Sequence, residues 1–204
     1  MDSGYGLEDV AGPRRRVGPA RLFVRPAFDA DHIGGLSGFP HAAVHATAAE
    51  VLGSMISPSR RERVRYRSAQ WAHGPRVVQH TPDGEKWRGF AAARELDAIA
   101  SGIVLISLPG HTRGRACVAV EAGERWILHA GDAFCHRGTL DRTSPVPAAL
   151  RAMEAVVAHD GRRVHDNHAR LTGLHRREEP EQVIVNAHDP ALWEQMRDRV
   201  QRWA

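Results

Sequence analysis

Ala27-Phe-Asp-Ala-Asp-His-Ile-Gly-Gly35 sets an Asp-His pair directly before Ile-Gly-Gly, in a chain that carries 13 histidines. Asp and His side by side offer a carboxylate and an imidazole, the donor pair that zinc, iron and manganese accept and calcium does not favour. The stretch therefore reads as half of a metal site. The other half has to be sought further along the chain.

Three later segments share one pattern. Val104-Leu-Ile-Ser-Leu108 runs into Pro109-Gly110-His111-Thr112, Trp126-Ile-Leu-His129 into Ala130-Gly131-Asp132, and Val183-Ile-Val185 into Asn186-Ala187-His188-Asp189. Each is an apolar strand, one or two small residues, and then His or Asp. Sheet ends are rigid and their loops converge, which suits ligands that must be held closely. The glycines let the backbone pass close to an ion. A single His after a strand is usually packed or solvated; four such signals in order, Asp31-His32, His111, Asp132 and His188, are hard to obtain by chance.

The order DHIGG, PGHTRG, GDAF and AHDP resembles the metallo-β-lactamase fold hydrolases over nearly the whole chain. The resemblance implies an α/β fold, an αβ/βα sandwich of two mixed sheets with outer helices, in a single domain over residues 1–204. It further implies that Asp31, His32 and His188 hold one metal, that His111 serves the other, and that Asp132 bridges them. The His188-Asp189 ending is most similar to the lactonase branch, which opens acyl-homoserine lactones and related cyclic esters. The family motif is His-x-His-x-Asp-His, with Asp at the second His in some branches. Here Ala27 stands at the first position, where it can bind nothing, and Asp29 at the second. The helix and buried strand that normally lead into the motif are missing, since the motif follows Arg25-Pro26 directly. Asp2-Ser-Gly-Tyr-Gly6 resembles the family's Asp-Thr-Gly turn without the strands that precede it. The chain reads as a member shortened at its N-terminus and internally deleted, with Leu22-Phe-Val24 as a substitute strand.

The chemistry implied by such a site is metal-assisted hydrolysis of a small ester or lactone. A bound divalent ion lowers the pKa of its water from ~15.7 toward ~7 and polarises the carbonyl. Asp31 has the catalytic place, ligating the metal and steering the nucleophile. Zinc is the expected ion, with iron or manganese as alternatives, firmly held in one position and weakly or not at all in the second. The competing reading is a degenerate relative that binds a ligand or partner without chemistry. An exposed sheet edge leaves a homodimer as an even alternative to a monomer.

Bulk properties narrow the partners. All but one of the 28 basic residues are arginine, and the formal net charge is +4. The runs Arg14–Arg16 and Arg60-Arg61-Glu62-Arg63 read as a solvated loop and helix face, and without interleaved aromatics they do not suggest a nucleic-acid platform. No segment approaches the ~18 apolar residues of a membrane span. The first residues lack the apolar core of a secretory signal, so the cytoplasm is expected. Cys117 and Cys135 form no disulfide framework or zinc-ribbon spacing and are expected as reduced thiols. There is no phosphate loop and no Gly-x-Ser-x-Gly elbow.

The remaining pattern predicts a strand over residues 42–46 and a helix over 47–55 capped by Thr47 with Glu50 three residues on. Strands are predicted at 76–80, 102–108, 116–120, 125–129 and 182–185, and helices at 147–159, 163–171 and 190–203. His165, His168 and His175 fall on one helical face, with Asp166 nearby, and read as a polar face. His41 and His45 read as structural, and Cys135 with His136 as packing residues.

Overall fold

The computed structural model describes residues 22–24, 27–177 and 181–201, with the side chains of 22–24 and 199–201 left aside. Asp2–Gly6, Arg14–Arg16, Arg25-Pro26 and Trp203 lie outside the described residues. The chain divides into two compact units that meet between Thr81 and Pro82.

The first unit is built on a parallel three-stranded sheet, β1 (Leu22–Val24), β2 (Ala43–Thr47) and β3 (Arg76–His80), in that order. Leu22 is in register with Ala43, and Val44 with Val77. Every residue of β2 is buried, as expected for a strand covered on both faces. Leu22–Val24 is thus a strand, beside β2. Thr47 accepts from the Glu50 backbone at 3.1 Å and starts α2 (Ala48–Val51), the second helix after α1 (Ala30–Ile33). The predicted single helix over 47–55 widens at Leu52–Ile56 into a π turn, where Ser54 Oγ donates to the Glu50 carbonyl. Helix α3 (Arg60–Arg65) opens on a full capping box between Ser59 and Glu62. Arg60, Arg61 and Arg63 are exposed as expected, but Arg65 turns inward. Phe28, Ile33, Leu36, Val44, Val51 and Tyr66 form this unit's core, with Trp71 edge-on to Phe28 at 5.9 Å.

The second unit holds a six-stranded sheet in sequence order: β4 (Glu85–Trp87), β5 (Phe90–Glu95), β6 (Ile103–Ser107), β7 (Ala116–Ala122), β8 (Arg125–His129) and β9 (Gln182–Val185). Neighbours are antiparallel until β8 and β9, which run parallel. Because β6 and β8 are both antiparallel to β7, strands β6, β8 and β9 all point the same way. Their C-terminal ends, which lead to His111, Asp132 and His188, therefore lie along one side of one sheet.

The β4–β5 hairpin is not anticipated in the sequence. Its two-residue turn, Arg88-Gly89, has φ of 44° and 93°, and Arg is an unusual residue for a left-handed first position. Among the described residues four α-helices complete the unit: α4 (Gly138–Asp141), α5 (Ala148–Val157), α6 (Gly161–His175) and α7 (Pro190–Gln201). Helix α6 begins two residues before the expected start because Asp160 caps it, accepting from the backbones of Arg162 and Arg163. The core of the unit includes Val104, Ile106, Leu128, Phe134, Leu171 and Val185.

Candidate metal centre

In the second unit, three strand ends bring together three of the residues singled out in the sequence. His111 Nε2 lies 3.4 Å from Asp132 Oδ2, and His188 Nε2 lies 3.1 Å from Asp132 Oδ1. Two imidazole nitrogens thus approach the two oxygens of one buried carboxylate. This mixed nitrogen and oxygen donor set fits a zinc-class ion. Asp132 is 3% exposed at its side chain and His188 42%, so the set reaches from the interior to the surface.

The backbone around these residues is tightly held. The 108–111 turn closes through Leu108 N–H to the Arg115 carbonyl and Gly110 N–H to the Thr112 carbonyl. Asp160 and His159 donate to the carbonyls of Gly110 and His111, and buried Asn167 of α6 donates to the Pro109 carbonyl at 2.8 Å. Asn186 is fully buried; its Oδ1 accepts from the backbones of His188 and Asp189, while its Nδ2 donates to the Phe134 carbonyl at 3.0 Å. One amide therefore links the His188 loop to the Asp132 loop. Asp189 accepts from the Arg137 backbone and side chain and from Ala191 N–H at the start of α7.

Among the described residues Arg115 is the largest fully buried side chain. Its Nη1 lies 3.3 Å from Asp132 Oδ2 and its Nη2 donates to the Ala130 carbonyl. The glycine before Asp132, read in the sequence as room for an ion, makes room for this guanidinium: a Cβ on Gly131 would overlap Arg115 Nη2.

The first unit carries the Asp29, Asp31 and His32 set. Asp31 lies in the first turn of α1, and His32 Nε2 lies 3.6 Å from Asp31 Oδ2. The helix is fixed by Gln70, which donates to the Ala30 carbonyl, and by buried Phe28 and Ile33 on either side. Ala27 is fully buried. Asp29 occupies the cap position without capping; both its oxygens accept from Arg65, Nη2 to Oδ2 at 2.9 Å and Nε to Oδ1. Burial opposes the Arg65 charge, but the bonded Asp29 outweighs it and raises the Arg65 pKa above the ordinary value. Behind the pair, Glu50 accepts from Phe28 N–H at 2.9 Å and Tyr66 hydroxyl at 3.2 Å.

Asn167, Asn186, Arg115 and Arg65 escape a reading by residue type, because Asn and Arg are ordinary loop and surface residues. The one available signal is position: Asn186 opens the Asn186–Asp189 segment and Arg115 directly follows PGHTRG. His165 and His168 line a cleft of about 270 Å³ with Arg151 and Glu154, and among the described residues no metal-ligating trio forms there. His45 pairs with His80, Nδ1 to Nε2 at 2.9 Å. Both cysteines are free and buried, and burial pushes the Cys117 thiol up to about 12.

No family model matches the chain. A probable metallo-hydrolase of Mycobacterium tuberculosis is 48% identical over 226 residues, covering 97% of this chain and 73% of that protein. That match is longer than the 204-residue chain itself, so gaps open within this chain, in keeping with an internal deletion. An N-acyl homoserine lactone hydrolase with the product N-hexanoyl-L-homoserine at its catalytic metal center superposes with a TM-score of 0.61 at 16% identity, covering 90% of this chain and 62% of that one. A dizinc quorum-quenching lactonase gives 0.60 at 12% identity, covering 92% and 67%.

Proposed function

The chain belongs to the metallo-hydrolases of the metallo-β-lactamase fold, and from that membership we propose that it hydrolyses a small ester or lactone with a metal-activated water. The observation that carries the proposal is the approach of His111 and His188 to opposite oxygens of Asp132. Asp31, His32, Asp132 and His188 are the residues we assign to the retained ion, with His111 as the imidazole of the second position. Zinc is the proposed ion, supported by the donor set and by the dizinc lactonase among the structural neighbours. When bound, such an ion supplies a nucleophile at neutral pH and an electrophile for the carbonyl.

The chain's own residues do the rest. Asp31 holds the attacking water by accepting its proton in a hydrogen bond. The Asn186 amide keeps the His188 and Asp132 loops in register, so neither ligand must be reorganised on binding. A small-molecule substrate is supported by the lactonase neighbours. Among the described residues no helix is long and apolar enough to cross a membrane, and a cytoplasmic setting remains part of the proposal.

The test is a panel of acyl-homoserine lactones, simple lactones, esters and thioesters, offered to zinc-loaded protein with proton release as the readout. Turnover that disappears with a chelator and returns with zinc supports the proposal. Metal-loaded protein that turns over none of them favours the second reading, a relative that binds without chemistry, which buried Ala27 at the first ligand position motivates.

A further inference from the structure

We propose that Arg65 supplies, as a fixed side chain, the positive charge that a second metal ion would bring to Asp29, so that this chain works with one ion. The inference rests on the metal-dependent reading of the site and concerns the number of ions.

The first observation is the use of Asp29. Guanidinium and carboxylate meet as a two-pronged pair, one N–H to each oxygen, and the Asp29 side chain is only 10% exposed. A carboxylate so engaged has its charge already answered and its favoured lone pairs directed at nitrogen. A dication approaching the same oxygens meets the Arg65 charge directly.

The second observation is that the pair is built in. Arg65 is the last residue of α3, whose start is pinned by the Ser59 and Glu62 box. The next residue, Tyr66, is buried and donates to Glu50, and Glu50 also accepts from Phe28, the residue before Asp29. One buried carboxylate therefore anchors the neighbours of both partners. Arg65 and Asp29, 36 residues apart in sequence, are held together by more than their own attraction.

The third is Ala27. Where the family resemblance places an imidazole, this chain has a fully buried methyl group, which offers no donor atom. An alanine at the imidazole's place and a fixed cation on the neighbouring carboxylate both work against a second ion. Arg65 is in this sense a positioning residue, and it fixes Asp29 in a role other than ligand.

The experiment is titration of metal-stripped protein with Co²⁺, following the visible absorption of the bound ion, with elemental analysis as a count. Wild type should saturate at one equivalent. Arg65→Met should gain a second equivalent, because Asp29 is released to bind it. Asp29→Asn, which keeps the shape and serves if the first variant does not fold, should still bind one. Two equivalents in wild type, with one lost in Asp29→Asn, would overturn the inference and leave the hydrolase reading standing. One equivalent in folded Arg65→Met would also overturn it. No cobalt in either wild type or Arg65→Met would overturn the metal-dependent reading and this inference with it.

Discussion

The Oδ1 atom of Asn186 accepts the backbone N–H of His188 at 3.2 Å, and its amide reaches the Phe134 carbonyl two residues beyond Asp132. This fully buried residue touches no proposed metal atom, yet it fixes two ligands relative to one another. Asn186→Ala removes three bonds from this junction. Metal affinity is expected to fall about 10–100-fold, as for other residues behind metal ligands. Stability should drop by about 1–3 kcal/mol from unpaired buried groups. Competition with a chelator reads the first effect and urea unfolding the second.

Gly131 has φ of 52°, a conformation that side chains rarely adopt, and a Cβ there would overlap the Arg115 guanidinium. Gly131→Ala is expected to cost more than about 2 kcal/mol, since strain and the displacement of a buried charge act together. A fall in the thermal midpoint should accompany loss of metal. Unchanged stability would show that Arg115 can move freely.

Glu50 is fully buried and serves Phe28 N–H and Tyr66 O–H at once. Glu50→Ala leaves both donors buried without that acceptor, at a cost of about 2–4 kcal/mol. Glu50→Gln keeps an acceptor oxygen and should lose less. Denaturant midpoints of the two variants should rank in that order.

Burial, His80 and Arg76 together lower the His45 pKa below its ordinary 6.5. The unfolded chain then binds the proton more readily than the folded one. The stability from neutral His45 is fully present above about pH 6.5 and is lost as pH falls toward the folded value. Unfolding free energy should decline on acidification from pH 7, and His45→Gln should flatten part of that slope. An equal slope in the variant would remove His45 from the account.

The strand ends are legible because apolar, β-branched runs stop at small residues followed by His or Asp, a pattern local enough to see in a single sequence. The sheet that aligns β6, β8 and β9 is implied by those runs, but the β4–β5 hairpin is hidden by Arg88 in a left-handed turn position. Asp29 reads as a ligand by its place in the motif, and nothing local shows that Arg65 pairs with it, because their contact depends on the fold of the intervening chain. The Arg60–Arg63 run reads as a solvated face, and that holds for Arg60, Arg61 and Arg63, which point outward. The inward turn of Arg65 follows from the helical period and from the burial of Tyr66 beside it.

A catalytic metal held by the strand-end ligands should stay with the chain through purification. Elemental analysis of protein purified without chelator, wild type beside His188→Ala, reads this. His188 is partly exposed, so its removal should leave the fold intact and isolate the effect on the ion. Wild type near one equivalent of zinc, iron or manganese, with that metal lost in folded His188→Ala, is the predicted result. The same metal content in both proteins, or none in wild type even after zinc is supplied, would contradict the account.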